Sequence, residues 1–295
     1  MKSIIKSPAK INLFLSVDEK RKDGYHNLSM IMQKVSLYDI IEFEIITEKY
    51  IFDVNQVNIT CNNSDIPTDD KNLMVKIIKY IFNLYNIDDY ISINLIKNIP
   101  TCAGLGGGSS DAATTLLFLN EYYKLNLSKN KLNEIAVAFG ADIPFFLYGS
   151  ESICKGKGEK INELKPFNSY YILIAKPNIK ILTKDIFNQY DISNNKLFLE
   201  KRNKLNNLIN AINNENLDLL AVNLFNDLEL VTCKNNRIIA DLKEKMVYYG
   251  AKGSLMTGSG SAVYGVFDTE SSAIICKDAL FSEYSDLFLY IAKPI

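Results

Sequence analysis

Residues 100–115 read Pro-Thr-Cys-Ala-Gly-Leu-Gly-Gly-Gly-Ser-Ser-Asp-Ala-Ala-Thr-Thr, and four of the chain's 14 glycines fall within positions 104–108. Without a Cβ, such a stretch reaches φ > 0 and can bring backbone N–H groups against a ligand. Ser109, Ser110 and Asp111 are N-cap and first-turn residue types, and residues 112–119 favour helix, so a helix is expected over about residues 110–124. A glycine loop opening into a helix gathers unpaired N–H donors at the positive end of the helix dipole, which suits an anion. A plain flexible turn is the alternative, but three consecutive glycines carry an entropic cost that such a turn does not require. The loop therefore points to phosphate.

The loop departs from two common phosphate-binding patterns. A Walker A loop needs a lysine after its last glycine, and none is present. Gly104-Leu105-Gly106 begins a dinucleotide fingerprint, but Ser109 stands where its third glycine or alanine belongs. A positive charge for phosphate chemistry has to come from elsewhere in the chain.

The rest of the composition narrows the partners. At 295 residues and 47% hydrophobic, the chain can bury a large core in one large or two ordinary domains. The net charge is −1, and no dense basic patch argues for nucleic acid, although Lys/Asn clusters occur near residues 194–207. Five scattered cysteines, odd in number and without a Cys-x-x-Cys pair, fit free thiols in a reducing cytoplasm better than disulfides or zinc. No apolar run approaches the roughly 18 residues of a membrane span. A strand pattern near the first residue is expected to leave no room for a targeting segment. His26 is the single histidine, which disfavours a Ser-His-Asp triad or a histidine-based metal site.

Strands are expected at residues 4–5, 11–17, 30–35, 40–47 and 52–61, with a turn at Asp23-Gly24. Apolar residues at helical spacing predict a helix over 72–85, followed by a strand at 90–96, the glycine loop, and helices near 110–124 and 129–139. Strands and turns are expected over 150–170. A strand at 171–175, several helices to residue 249, strands near 252–256 and 262–267, a helix from Glu270 and a strand at 287–292 resemble a split β-α-β unit of ferredoxin type. The boundary between the halves is placed near residue 165.

Three segments carry candidate chemistry. Along residues 7–16, Lys10 and Asn12 share one face of a strand, about 7 Å apart by strand rise. Lys10 sits either on an exposed edge or paired in a cleft. Asp142, in Ala-Asp-Ile-Pro-Phe-Phe, is either a turn cap or a general base held in a dry pocket. Residues 255–263, Leu-Met-Thr-Gly-Ser-Gly-Ser-Ala-Val, are either an ordinary hairpin turn or a further source of N–H donors.

Taken together these segments resemble the GHMP kinases. That family carries a Pro-x-x-x-Asn-like motif, a Pro-x-x-x-Gly-Leu-Gly-x-Ser-Ser loop and a late Gly-rich motif. Here they fall at residues 7–15, 100–110 and 255–265, in that order. The likeness extends over essentially the whole chain. Its closest branch is marked by Ser7–Leu13, Asp23-Gly24-Tyr25-His26, Gly104–Ala113 and Gly140–Phe145. The resemblance implies an α+β, two-domain GHMP kinase fold, with a ribosomal protein S5 domain 2-like N-terminal domain over residues 1–165 and a ferredoxin-like C-terminal domain over residues 166–295. It implies phosphoryl transfer from ATP, with Mg²⁺, to a small cytidyl diphosphate alcohol, and neither nucleic acid nor membrane as partner. Lys10 and Asp142 are then the catalytic pair. Pro100, Thr101, Cys102, Ala103, Gly104, Leu105, Gly106, Gly107, Gly108, Ser109 and Ser110 wrap the ATP phosphates, while Asn72, Leu73 and Lys97 line the adenosine pocket. Asn12, Tyr25, His26, Thr183 and Phe187 hold the substrate. The Mg²⁺ ligands and the oligomeric state (monomer or homodimer) are left open.

Overall fold

The structure, a computed structural model, describes residues 2–22, 24, 26–46, 56–193 and 198–295. Asp23, Tyr25 and the start of the strand expected at 52–61 lie outside the described residues. The chain forms two compact units. One comprises Met1–Ala9, Leu37–Ile99 and Gly106–Leu147; the other comprises Lys10–Ser36, Pro100–Leu105 and Tyr148–Ile295. Two long strands, β1 (Lys2–Lys20) and β2 (His26–Ile46), run from one into the other. The sequence suggests short separate strands in these stretches, but the burial pattern continues through Pro8 and through residues 36–40 without a break.

In the first unit the end of β2 pairs antiparallel with β4 (Tyr90–Ile96), from Ile40 opposite Ile96 to Ile46 opposite Tyr90. Strand β3 (Val57–Cys61) lies parallel to β4 on its other side. Leu37, Ile41, Phe43 and Ile45 alternate with more exposed neighbours, as a half-buried strand requires. Helix α1 (Leu73–Tyr85) buries Met74, Ile77, Ile78, Ile81 and Phe82, a stripe at i, i+3, i+4, i+7 and i+8. The Asn72 side chain caps it by accepting from the Met74 N–H, and Asn86 ends it in the left-handed region. Helices α2 (Gly107–Tyr122), α3 (Lys129–Phe139) and α4 (Ile143–Phe146) complete this unit. Phe43 and Phe118 stack at 4.1 Å and fix α2 against β2.

In the second unit the start of β2 pairs with β5 (Glu151–Gly156), which continues into a hairpin with β6 (Lys160–Glu163). A separate antiparallel sheet holds β7 (Tyr171–Lys176), β9 (Gly253–Met256), β10 (Val263–Phe267) and β11 (Phe288–Ala292), in the order β11-β7-β10-β9. Numbered along the chain these four strands read 4-1-3-2, the ferredoxin-type arrangement expected for this half. Between β7 and β9 lie helices α5 (Thr183–Ser193), α6 (Phe198–Asn213), α7 (Leu217–Asn223), α8 (Glu229–Asn235) and α9 (Arg237–Tyr248). Helix α10 (Glu270–Glu283) joins β10 to β11. A two-residue strand, β8 (Phe225–Asn226), pairs in parallel with β1 at Phe14 and Leu15. Neither β8 nor α4 is visible in the sequence pattern, because both are shorter than one hydrophobic repeat. Among the described residues no helix is long and apolar enough to cross a membrane.

Candidate active site

The glycine loop meets helix α2 earlier than its polar residues suggest. The helix starts at Gly107 rather than near residue 110, and its N-cap is Gly106, held at φ 72° with no side-chain cap. Serine or aspartate at the cap would cover a first-turn N–H with its own side chain. Glycine reaches the left-handed geometry and leaves that end of the helix uncapped by any side chain, pointing its donors outward. Gly104 is also at positive φ, 74°, and a Cβ there would overlap the Thr257 carbonyl. The late Gly/Ser turn is thus packed directly on the phosphate loop: Ser261 and Ala262 donate their N–H groups to the carbonyls of Cys102 and Ala103 at 3.3 and 3.2 Å.

Lys10 belongs to the same unit as this part of the loop. It is 3% exposed, so the exposed-edge alternative is wrong. The alternation along β1 turns its side chain to the face of Asn12, whose Oδ1 accepts from Lys10 Nζ at 2.6 Å. The Lys10 N–H donates to the Leu105 carbonyl at 2.9 Å, which ties the strand to the loop. Asn12 is fully buried, and its Oδ1 also accepts from the Gly258 N–H at 3.1 Å. Thr257 Oγ1 accepts from the Asn12 N–H at 3.1 Å and lies 3.2 Å from the Gly104 carbonyl. Residues 10–12, 104–105 and 257–258 therefore form one hydrogen-bonded group, into which the turn of the β9–β10 hairpin is bonded.

Lys97 occupies a different setting. Its side chain is 3% exposed and its ammonium faces two carboxylates, Asp39 and Asp111, the latter at 2.8 Å. Burial disfavours the charge on Lys97, but the two acids outweigh it and hold its pKa above the usual lysine value. Burial pushes Asp111 up to about 7; Lys97 opposes this shift and the charge on Asp39 adds to it. The other oxygen of Asp39 accepts from the N–H groups of Asn98 and Ile99 at 2.7 and 2.8 Å. Asn62 takes the Lys97 N–H at 2.7 Å. Side chain and main-chain N–H of Lys97 are both engaged, and the cluster fixes the chain just before the loop to the first turns of α2. Ser110, buried in the same unit, accepts from Ser7 at 2.7 Å. Sequence reasoning missed Asp39. The available signal was an acid at a buried position of a strand, between Leu37 and Ile41.

The remaining candidates are placed as follows. Asp142, in the first unit, takes the N-cap position of α4 in a turn, without a side-chain cap hydrogen bond to the helix. His26 opens β2, is buried, and its ring stacks on Phe187 with centroids 5.5 Å apart and planes 22° from parallel. Thr183, at the start of α5, shares a hydrogen bond of 2.9 Å with Ser259 of the late turn. Asn72 and Leu73 form the cap and first residue of α1. Tyr25 lies outside the described residues. Among the described residues no group of three or more His, Cys, Asp or Glu side chains converges as a metal site.

The sequence matches the GHMP kinases N terminal domain over residues 72–150 and the GHMP kinases C terminal domain over residues 207–286. With relatives of about 40% identity along nearly its whole length, the chain belongs to the GHMP kinase family. Membership makes it a kinase, with ATP as the phosphoryl donor. Among those relatives, the 4-diphosphocytidyl-2-C-methyl-D-erythritol kinase of Clostridium novyi (strain NT) is 41% identical over 281 residues, 95% of this chain and 96% of that protein. The enzyme of the same name from Clostridium beijerinckii is 40% identical over 285 residues, covering 97% and 98%. A crystal structure of 4-(cytidine 5'-diphospho)-2C-methyl-D-erythritol kinase superimposes with TM-score 0.79 and 26% identity, over 99% of this chain and 100% of that one. A homoserine kinase from Cytophaga hutchinsonii shares the fold, with TM-score 0.77 at 16% identity over 99% of this chain and 95% of that one.

Proposed function

We propose that this chain transfers the γ-phosphoryl group of ATP to the 2-hydroxyl of 4-diphosphocytidyl-2-C-methyl-D-erythritol, a step of the non-mevalonate (MEP) route to isoprenoids. The observation that carries the choice of substrate is the 41% identity, over 95% of the chain, to a kinase of that name. The geometry supports the reaction type. A helix N-terminus opened by a left-handed glycine suits the phosphates, and a buried lysine is bonded into the same loop.

The acceptor is a tertiary hydroxyl, too weakly acidic to ionise at neutral pH. Asp142 takes its proton as attack proceeds. Lys10 meets negative charge building near the attacking oxygen. The main-chain N–H groups of residues 104–109 and the α2 dipole bind the phosphates in place of a Walker lysine. Lys97 serves the nucleotide through the position it gives this loop, its own ammonium being held by Asp39 and Asp111. Asn72 and Leu73 border the adenosine. His26 and Phe187, with Tyr25, take the cytosine end, and Asn12 and Thr183 contact the substrate. Mg²⁺ accompanying ATP would be held mainly by phosphate and water oxygens, with the hydroxyl of Ser109 or Ser110 as the donor the loop offers. Bound there, Mg²⁺ supplies charge neutralisation.

ATP consumption measured with the cytidyl substrate, homoserine and mevalonate in parallel tests the reading. Turnover is expected with the cytidyl substrate alone. A preference for homoserine or mevalonate refutes the substrate, and nucleotide binding without turnover on any alcohol would make the chain a sensor instead of an enzyme.

A further inference from the structure

Asn226 lies outside all three motifs, on the two-residue strand β8, and is nearly completely buried. Every polar atom of its side chain is used. Nδ2 donates to the Met256 carbonyl and to the Gly258 carbonyl, both at 2.8 Å, and Oδ1 accepts from the Leu228 N–H at 3.0 Å. The two donors of one amide thus grip the late turn on either side of Thr257. Pairing of β8 with β1 at Leu15 sets the grip in register with the strand that carries Lys10.

The turn acts in its turn on Asn12. Gly258 N–H and Lys10 Nζ both donate to Asn12 Oδ1, at 3.1 and 2.6 Å. Neither partner can accept a hydrogen bond as a backbone N–H and an ammonium, so together they determine which end of the Asn12 amide faces Lys10. If the turn relaxes, the Gly258 donor and the Thr257 hydroxyl, which lies 3.4 Å from Asn12 Oδ1, leave that oxygen, and the Asn12 amide loses the groups that hold it towards Lys10 from the far side.

We propose that Asn226 is a positioning residue for the phosphoryl-transfer step: it clamps residues 256–258 so that Gly258 orients Asn12 and Asn12 sets the place of the Lys10 ammonium. The inference rests on the reading of Lys10 as a group that serves the reaction. Misplacement of a catalytic group by about 1 Å costs roughly 100-fold in rate.

The test is a double-mutant cycle on the full chain, using Asn226→Asp and Asn226→Ser, each alone and combined with Lys10→Ala. Asn226→Asp keeps the shape and the acceptor for Leu228 but removes both donors. Turnover of the cytidyl substrate, both KM values and circular dichroism are measured. The expected result is a fall in kcat of about 10- to 100-fold with the KM for ATP within about threefold and a native spectrum. In the Lys10→Ala background the same substitution should add less than about threefold, because the group it positions is gone. An equal loss in both backgrounds, an unchanged kcat, or unfolding of both Asn226 variants overturns the proposal. The first of these, with Lys10→Ala itself impaired, leaves the role of Lys10 standing; a fully active Lys10→Ala removes that role and the inference with it.

Discussion

Two carboxylates and one ammonium are buried together beside Gly107 at the start of α2, and this unequal charge makes the consequences of substitution unequal. Lys97→Met removes the only cation in the cluster while keeping most of its volume. Asp39 and Asp111 are then left facing each other with almost no solvent, since their side chains are 0% and 3% exposed. Removing one partner of a buried pair costs about 3–5 kcal/mol because the charge left behind is uncompensated. Asp111→Asn does the opposite. It removes the surplus charge, leaves Lys97 paired with Asp39, and replaces a group whose burial already pushes its pKa up to about 7. Its cost should stay within about 1 kcal/mol, the size of a typical isosteric hydrogen-bond change. Urea unfolding at pH 7.5 measures both, with unchanged m-values showing that the midpoints report stability. Because Asp39 also holds the Asn98 and Ile99 N–H groups, Lys97→Met should raise the KM for ATP as well. A loss below 1 kcal/mol in Lys97→Met, or an equal loss in both variants, refutes the charge argument.

Gly104→Ala forces a left-handed alanine into the Thr257 carbonyl; activity should drop at least tenfold and the KM for ATP should rise, and near-normal kinetics would show that the loop does not depend on this close approach. Asp142→Asn should lower kcat by about 10²–10⁴-fold while ATP still binds by calorimetry, and normal turnover would remove Asp142 as the base. Glu151 is buried with Oε2 accepting from the Phe167 N–H at 3.2 Å, and burial pushes it up to about 8 from 4.5, partly offset by that donor. A carboxyl raised on folding favours the native state fully below pH 4.5, and that contribution is lost as pH rises to about 8, by about 1.4 kcal/mol per unit at most. Glu151→Gln should therefore raise Tm over the parent at pH 9 and leave it nearly unchanged at pH 5; the same Tm difference at both values would contradict the burial argument.

Local patterns carried most of the fold. The α1 stripe, the β4 run and the ferredoxin-type order of the second half follow from spacing that neighbours in sequence impose. The start of α2 was misplaced because residue preference favours Ser109 or Asp111 as a cap, whereas the chain uses a glycine whose value is the side chain it lacks. The state of Lys10 was undecidable from alternation alone. Asn12 shares its face, but the donor that orients Asn12 arrives from Gly258, 246 residues away. Asn226 was unreadable for the same reason: a two-residue strand has no periodicity, and its partners are carbonyls.

The central claim is the transfer of phosphate to one hydroxyl of one cytidyl alcohol. ³¹P NMR of the products formed from ATP and 4-diphosphocytidyl-2-C-methyl-D-erythritol tests it most directly. The account predicts a new phosphomonoester on the 2-hydroxyl with the diphosphate bridge intact and one ADP formed per transfer. Phosphate on another hydroxyl, cleavage of the diphosphate, or ATP hydrolysis without a new ester would contradict it.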